Sequence, residues 1–470
     1  MLTYDFADLH GDSMYNHLYN CVKNDIAAGT LPANEKLPSK RTLAKNLGVS
    51  LITVENAYAQ LLVEGYIYSR PRRGYYVADL QRQAPPPKRA VTTAALPARK
   101  KKPLLSFAQS SVPPDTFPYN TWARLLRHTL TTADEHALIS DTSAGGAAPL
   151  RQALARHLYQ FRALQVQPEQ IIVGAGTQTL YNLVVQLLGR NKIYALEDPG
   201  YPQLAAAYRA NDVFCRHLPM DEQGLCADVL ADSGADILHI TPSHQFPTGV
   251  TMPISRRYEL LRWAAQSARR YIIEDDYDCE FRLSGKPIPP LQSIDTEEKV
   301  IYINTFSKTL APTFRISYMI LPPHLAMLFY EKLGFYSCTV SNFEQFTLAK
   351  FIDDGYFERH INRMRTYYRN KRDALLQYLS SCPAARALKV EGEDSGLHFL
   401  LHLDTDAPDA VLKQAAAAQN IEIKFLSDYY YQKVNDNSRT MLMNYAGLEE
   451  ERLYPALDKL FGALQPYLKL

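Results

Sequence analysis

Between Ser13 and Ala28 the apolar residues Met14, Leu18, Val22 and Ile26 recur four apart, the spacing of one helical face, and Gly29 closes the run. A second helix is predicted from Lys40, with Ser39 as its N-cap, Leu43, Ala44 and Leu47 as its buried edge and Gly48 as its stop. Ser50 caps a third, LITVENAYAQLLVE, whose Val54, Ala57, Leu61 and Leu62 are expected to face inward before Gly65 ends it. Tyr66 to Val77 then reads as two short strands around the basic turn Arg70-Pro71-Arg72-Arg73-Gly74. Much further along, the pattern changes to short runs that are apolar throughout. Ile171-Ile172-Val173, Tyr271-Ile272-Ile273 and Val300-Ile301-Tyr302-Ile303 read as buried strands.

The two regimes are separated by DLQRQAPPPKRAVTTAALPARKKKPL, where large apolar residues nearly vanish. From Gln81 to Leu104 it carries seven basic residues (Arg82, Lys88, Arg89, Arg99, Lys100, Lys101, Lys102) and no acidic one. Such a segment buries too little surface to offset its ordering entropy, so residues 80–104 are expected to be a flexible linker. Its charge serves either as a solvated tether or as an arm that touches phosphates. The expected domains are therefore 1–79 and 105–470.

Composition narrows the partners. The chain has 470 residues, 46% hydrophobic and 21% charged, the profile of ordinary globular protein with room for two to four domains. Its 51 basic and 49 acidic side chains leave a net charge of +2, which excludes coating nucleic acid by bulk electrostatics. Any such contact must be local. The six cysteines lie far apart with no CxxC pair and no zinc spacing, so reduced thiols in a cytoplasm are expected, without a metal site. No apolar run is long enough to span a membrane, and MLTYDFADLHGD lacks a signal core. A cytoplasmic protein is the expectation.

Two short helices joined by a Gly-containing turn form a helix-turn-helix, and the hairpin after them forms a wing. Residues 1–80 hold eight basic and eight acidic residues, yet seven of the basic ones lie around the second helix or in the wing. Ser39, Lys40, Arg41, Arg70, Arg72 and Arg73 are the candidates for the phosphate backbone. Ser50, Thr53 and Asn56, with Tyr58 beside them, are placed to read bases from the third helix. LPSKRTLAKNLGVSLITVENAYAQLLVEGYIYSRPRRGYYV closely resembles the GntR-type winged helix-turn-helix. That family usually carries Arg directly after the Ser50 position. Leu51 stands there instead, and it can touch a thymine methyl but cannot bond guanine.

In the large segment the chief chemical signal is Asn304-Thr305-Phe306-Ser307-Lys308-Thr309-Leu310-Ala311-Pro312-Thr313-Phe314-Arg315, at the end of a strand. A lysine there, among hydroxyls and with an arginine seven residues on, provides an imine-forming amine beside a phosphate site. Thr305 and Ser307 can donate to phosphate oxygens and Arg315 can pair with them. Glu274-Asp275-Asp276-Tyr277 delivers an acid able to hold a pyridinium and a phenol able to reach its ring oxygen, although alone it could equally be a surface loop or part of a metal site. Gly174-Ala175-Gly176-Thr177-Gln178 turns a strand into a helix whose first N–H groups suit a phosphate. Tyr201, in Glu197-Asp198-Pro199-Gly200-Tyr201-Pro202, can stack on an aromatic ring.

In this order the four stretches resemble the aspartate-aminotransferase-like, fold type I enzymes that use pyridoxal 5′-phosphate. The resemblance implies an α/β fold with a mostly parallel central sheet and a smaller C-terminal α+β subdomain. It also implies Lys308 as the Schiff-base lysine, forming an internal aldimine, Asp275 as the pyridinium partner, Tyr277 as the phenolate partner and Tyr201 as the stacking ring. Gly176, Thr177, Gln178, Thr305, Ser307 and Arg315 become the phosphate cradle. The fusion to a GntR-type domain through a Pro-rich linker, together with TPSHQFPTG and SGLHFLLHL, is similar to the MocR family of transcriptional regulators. That likeness implies a homodimer, head-to-tail, on promoter DNA, responding to the cofactor alone or to an amine or amino-acid effector.

Three departures matter. Phe246 precedes Pro247-Thr248-Gly249 where aminotransferases usually have Asn. Leu442 occupies the place of the arginine that grips a substrate α-carboxylate, with Arg439 three residues off. Gln203 stands where the GABA-responsive member of the family has Arg. Losing each clamp is worth about 2–4 kcal/mol in a desolvated site. Weak or absent transamination is expected, and the alternative is a working aminotransferase with an appended DNA-binding domain.

Overall fold

The computed structural model describes residues 2–6, 13–80, 105–107, 112–113, 116–283, 288–394, 396–432, 438–448 and 450–469. The chain divides into two compact units between Lys100 and Lys101. Apart from Leu80, the expected linker lies outside the described residues.

The first unit consists of α1 (Met14–Ala27), α2 (Lys40–Leu47), α3 (Leu51–Val63) and the hairpin β1 (Ile67–Arg70) with β2 (Gly74–Val77). The predicted caps form. Ser39 Oγ accepts from Thr42 N and Ser50 Oγ from Thr53 N, while Gly48 takes the left-handed conformation that ends α2. Leu18, Val22, Ile26, Leu43, Val54, Ala57, Leu61, Ile67 and Val77 build one core. Truncating a residue such as Leu61 to Ala is worth about 2–5 kcal/mol. Three positions depart from expectation. Met14 is 48% exposed because it opens the helix one turn before the packed stripe begins at Leu18. Leu62 is 39% exposed, turned about 100° from the buried Leu61. Leu47 is only half-buried.

The strands of the second unit are β3 (Leu105–Ser106), β4 (Ile171–Gly174), β5 (Ile193–Asp198), β6 (Phe214–Asp221), β7 (Gly224–Leu225), β8 (Ile237–Ile240), β9 (Tyr271–Asp275), β10 (Val300–Thr305), β11 (Ser317–Ile320), β12 (Leu388–Glu391), β13 (His398–Leu403), β14 (Ile421–Glu422) and β15 (Thr440–Asn444). Eight form one sheet in the order β4-β11-β10-β9-β8-β5-β6-β7. Six run parallel, with β11 and β7 reversed. The all-apolar runs follow from burial on both faces. Ile172, Ile301 and Ile303 pack under the helix Thr177–Leu188, and Val173 and Tyr302 point to the opposite layer, which includes Leu150, Leu154 and Leu348.

The helix Tyr356–Ser381 leads into the smaller α+β part, where β12, β13 and β15 form an antiparallel sheet backed by Asp409–Ala418 and Glu450–Leu464. Register positions the site. Thr305 pairs with Ser317 and Ser317 with Gly174, so three strands present these residues in one row, and Asp275 pairs with Ile303 close by. The C-terminal ends of the parallel strands thus converge on one edge, where α/β sheets bind ligands.

Candidate functional site

At the end of β4 the chain turns through Gly176 (φ +87°), and Thr177 and Gln178 open the following helix. Their N–H groups have no partner within a helix, and the macrodipole makes the spot receptive to anions. Arg315 (φ +49°) places its guanidinium directly against Gly176, where a Cβ would lie 2.2 Å from Nη2. No hydrogen bond or ion pair among the described residues engages that guanidinium. Thr305 donates to Ser307 Oγ at 3.0 Å and receives from Ser317 Oγ at 2.8 Å. Thr305 is therefore a buried relay that aims Ser307, while Ser307 is the half-buried hydroxyl. Ser317 escaped sequence reasoning because its partner in register is remote in the chain.

Asp275 closes β9 and is 7% exposed. Tyr181 donates to its Oδ2 at 2.5 Å, and His239 Nε2 stands 3.6 Å away. Burial, reinforced by the Asp275 charge, pushes the Tyr181 phenol well above its ordinary range, so it stays a donor. Asp275 Oδ1 is buried without a partner among the described residues. A buried carboxylate oxygen in that state costs about 1–3 kcal/mol, more when charged, and a protonated ring nitrogen is the donor it lacks. Asp276, beside it in sequence, faces away and binds Arg162 and the Tyr302 hydroxyl.

Lys308 follows Ser307 and is partly covered. Burial lowers its ammonium pKa, against the opposing pull of the Asp278 charge, which favours the neutral, nucleophilic amine. The Tyr277 hydroxyl lies 3.1 Å from His244 Nδ1. Tyr201 is 47% exposed and meets the Phe246 ring edge-on at 5.6 Å. With an anion cradle, a carboxylate whose second oxygen has no partner among the described residues, and a covered amine on one sheet edge, the residues present fit pyridoxal 5′-phosphate.

The clamp position has a different chemistry. Leu442 is buried and packs with Leu400, Tyr429 and Phe246. Arg439 turns to Asp406 at 4.0 Å, and Gln203 is exposed. Phe246, Tyr201, Tyr429, Tyr430 and Tyr431 also line a cavity of about 260 Å³. Glu197 borders it. Burial, strengthened by the nearby Asp275 charge, pushes the Glu197 carboxyl up to about 7 although Thr241 and Gln245 donate to it.

In the first unit Arg41, Asn56 and the wing residues Arg70, Arg72 and Arg73 are exposed. Arg72 occupies the hairpin turn at φ +62°. Arg70 is stacked 4.9 Å from the Tyr76 ring and donates to Tyr68 at 3.1 Å. Lys40 reaches Glu55 at 3.4 Å, and Ser39, Ser50 and Thr53 are tied into the caps. Tyr58, expected near the bases, is instead fully buried and donates to Pro38 O. One turn after Val54 it lies on the core face of α3. Among the described residues no helix is long and apolar enough to cross a membrane.

Known proteins match both units. The family described as "Bacterial regulatory proteins, gntR family" matches residues 14–77, and "Aminotransferase class I and II" matches residues 118–459. The chain is 37% identical over 454 residues to "Uncharacterized HTH-type transcriptional regulator YdeL" of Bacillus subtilis, covering 96% of each chain. It is 30% identical to "Probable rhizopine catabolism regulatory protein MocR" of Rhizobium meliloti, covering 96% of this chain and 93% of that one. The structure of a multiple substrate aminotransferase from Thermococcus profundus is similar with a TM-score of 0.68 and 27% identity, over 78% of this chain and 92% of that one.

Proposed function

The chain belongs to the MocR family of transcriptional regulators, a GntR-type winged helix fused to an aminotransferase-like domain, and from that premise we propose that its grip on promoter DNA is set by the state of pyridoxal 5′-phosphate at Lys308. The aminotransferase class I and II fold is that of pyridoxal 5′-phosphate proteins. The cofactor supplies an aldehyde that captures primary amines and a ring that withdraws electrons.

Lys308 Nζ holds it covalently. Asp275 keeps a proton on its ring nitrogen, Tyr277 donates to its ring oxygen and Tyr201 covers one face. Gly176, Thr177, Gln178, Ser307 and Arg315, backed by Thr305, take the phosphate. On the DNA side Lys40, Arg41, Arg70, Arg72, Arg73 and the Ser39 terminus hold the backbone, and Ser50, Thr53 and Asn56 face the bases. Residues 1–79 and 105–470 act as reader and sensor, joined by 80–104. Two copies, head-to-tail in the cytoplasm, read a two-part operator.

One observation carries this reading over a working aminotransferase: the position of the carboxylate clamp is held by Leu442, packed in an apolar cluster with Leu400, Tyr429 and Phe246. An amino acid gains little there, so the cofactor itself is the signal. Binding to the DNA upstream of the protein's own reading frame, measured with and without pyridoxal phosphate, tests it. The expected result is a change of about tenfold or more in Kd, on the 1.4 kcal/mol scale of modest coupling, absent in Lys308→Ala. Unchanged affinity overturns the sensor, and many turnovers of keto acid per site favour the aminotransferase.

A further inference from the structure

His244 is 4% exposed, in the loop between β8 and Gly249. Its Nδ1 lies 2.9 Å from Asp278 Oδ2 and 3.1 Å from the Tyr277 hydroxyl. An ionised carboxylate only accepts, so the single Nδ1 proton belongs to the bond with Asp278. Nδ1 then has no lone pair to offer. Tyr277 can only accept from it, and the phenol's own proton has two acceptors open to it, the neighbouring Asp278 carboxylate and the cofactor's ring oxygen.

We propose that His244, locked by Asp278, is a positioning residue that turns the Tyr277 hydroxyl outward as a donor to the cofactor's ring oxygen. This rests on the cofactor reading above and adds a residue that reading did not contain.

Two further features support it. Gly396, just before β13, covers the pair so closely that a Cβ there would lie 2.0 Å from His244 Cε1 and 2.8 Å from Asp278 Oδ2. The smaller α+β part thereby packs directly against the dyad. Beside it, Arg162, Ser243, His244, Asp278 and Gly396 itself border a cavity of about 20 Å³, room for one water. Among the described residues Arg162 Nε, Ser243 Oγ and His244 Nε2 are buried without a partner, and with the ring proton committed to Asp278 a water in that space would donate to Nε2.

The groups around the ring are Asp278 and Tyr277 from the loop after β9, His398 from β13, and Arg162 and Arg282 at the small cavity. Burial is the main cause that holds His398 far below its usual range, so it stays neutral.

The readout is the pH midpoint of the visible absorption of full-length protein loaded with pyridoxal phosphate. Removing an oriented donor from an anionic ring oxygen disfavours the deprotonated form, so His244→Phe should raise the midpoint by about one pH unit, a tenfold change in the proton equilibrium. Tyr277→Phe should raise it as well, and the double variant should go no further than Tyr277→Phe alone. His244→Asn retains an N–H for Asp278 and should stay within about 0.3 pH unit of wild type. His244→Ala gives the same readout as His244→Phe if the larger ring prevents folding. An unmoved midpoint in these disrupting variants, or a full additional shift in the Tyr277→Phe background, overturns the inference while leaving the cofactor reading intact. Wild-type protein that develops no visible band overturns both.

Discussion

The guanidinium of Arg315 rests on the bare Cα of Gly176, at the end of β4, with no room for a methyl group between them. The left-handed φ of +87° is a second reason for glycine there. Gly176→Ala therefore strains the turn by about 1–2 kcal/mol and displaces the cation from the cradle. The affinity for pyridoxal phosphate, titrated by absorbance, should fall by at least about tenfold. Far-ultraviolet circular dichroism should remain unchanged, because the change is confined to one turn beyond the end of β4.

Glu197 is a buried acid whose carboxyl is raised to about 7 from an ordinary 4.5, with desolvation as the main cause and the Asp275 charge adding to it. The folded chain thus holds a proton that the unfolded chain releases between those values. Stability from this group is intact below about pH 4.5 and is lost as pH rises through 7. Glu197→Gln removes the charge. Its amide oxygen still accepts from Thr241 and Gln245, and its amide nitrogen falls where Oε1 has no partner. Denaturation of the cofactor-free protein should show the variant more stable at pH 8, by up to about 3 kcal/mol, and equal to wild type near pH 4.5. Equal stability at both pH values would contradict the buried charge.

Much of the site is legible in the chain because its residues follow strand ends. Lys308, Ser307 and Thr305 trail the run 300–303, and Asp275 ends the run that begins at Tyr271, so the apolar pattern itself points to them. Ser317, Tyr181 and His244 are not legible in that way. Ser317 reaches Thr305 through strand register, Tyr181 reaches Asp275 from a helix 94 positions away, and His244 meets Asp278 across 34. Those contacts depend on which strands become neighbours, and strand order is written in no local spacing. Tyr58 shows the opposite failure, since its polar tip suggested bases while its position on α3 assigned it to the core.

On the proposed reading the wing and α3 divide the work of binding DNA. Arg72 and Arg73 are exposed at the hairpin turn, so each Ala variant should weaken all duplexes alike and lower the slope of log K against log salt by about 1. Asn56 is exposed on α3 and can read an adenine edge. Asn56→Ala should cost about 1–3 kcal/mol on the operator alone and leave the salt slope in place. Ser50→Ala acts through the fold as well as on the bases it faces. It removes the bond to Thr53 N and should destabilise the unit by about 0.5–2 kcal/mol. Fluorescence anisotropy at several salt concentrations, paired with thermal melts, separates the three behaviours.

Leu442 offers the most direct contrast between sensing and turnover. It is buried on β15 opposite Leu400, with Tyr429 and Phe246 against it. An arginine at this position brings a guanidinium into the apolar cluster of Leu400, Tyr429 and Phe246. Leaving a charge there uncompensated is worth about 3–5 kcal/mol of destabilisation, so Leu442→Arg should melt well below wild type in buffer. A bound amino acid supplies the missing carboxylate. In the cofactor-loaded variant, millimolar amino acid should therefore raise Tm, by mass action on the folded state, whereas the wild-type Tm should not respond. Differential scanning calorimetry with and without amino acid reads both effects. A wild-type Tm that climbs with amino acid would mean that the apolar cluster is no barrier to a carboxylate, and the cofactor-alone signal would fall with it.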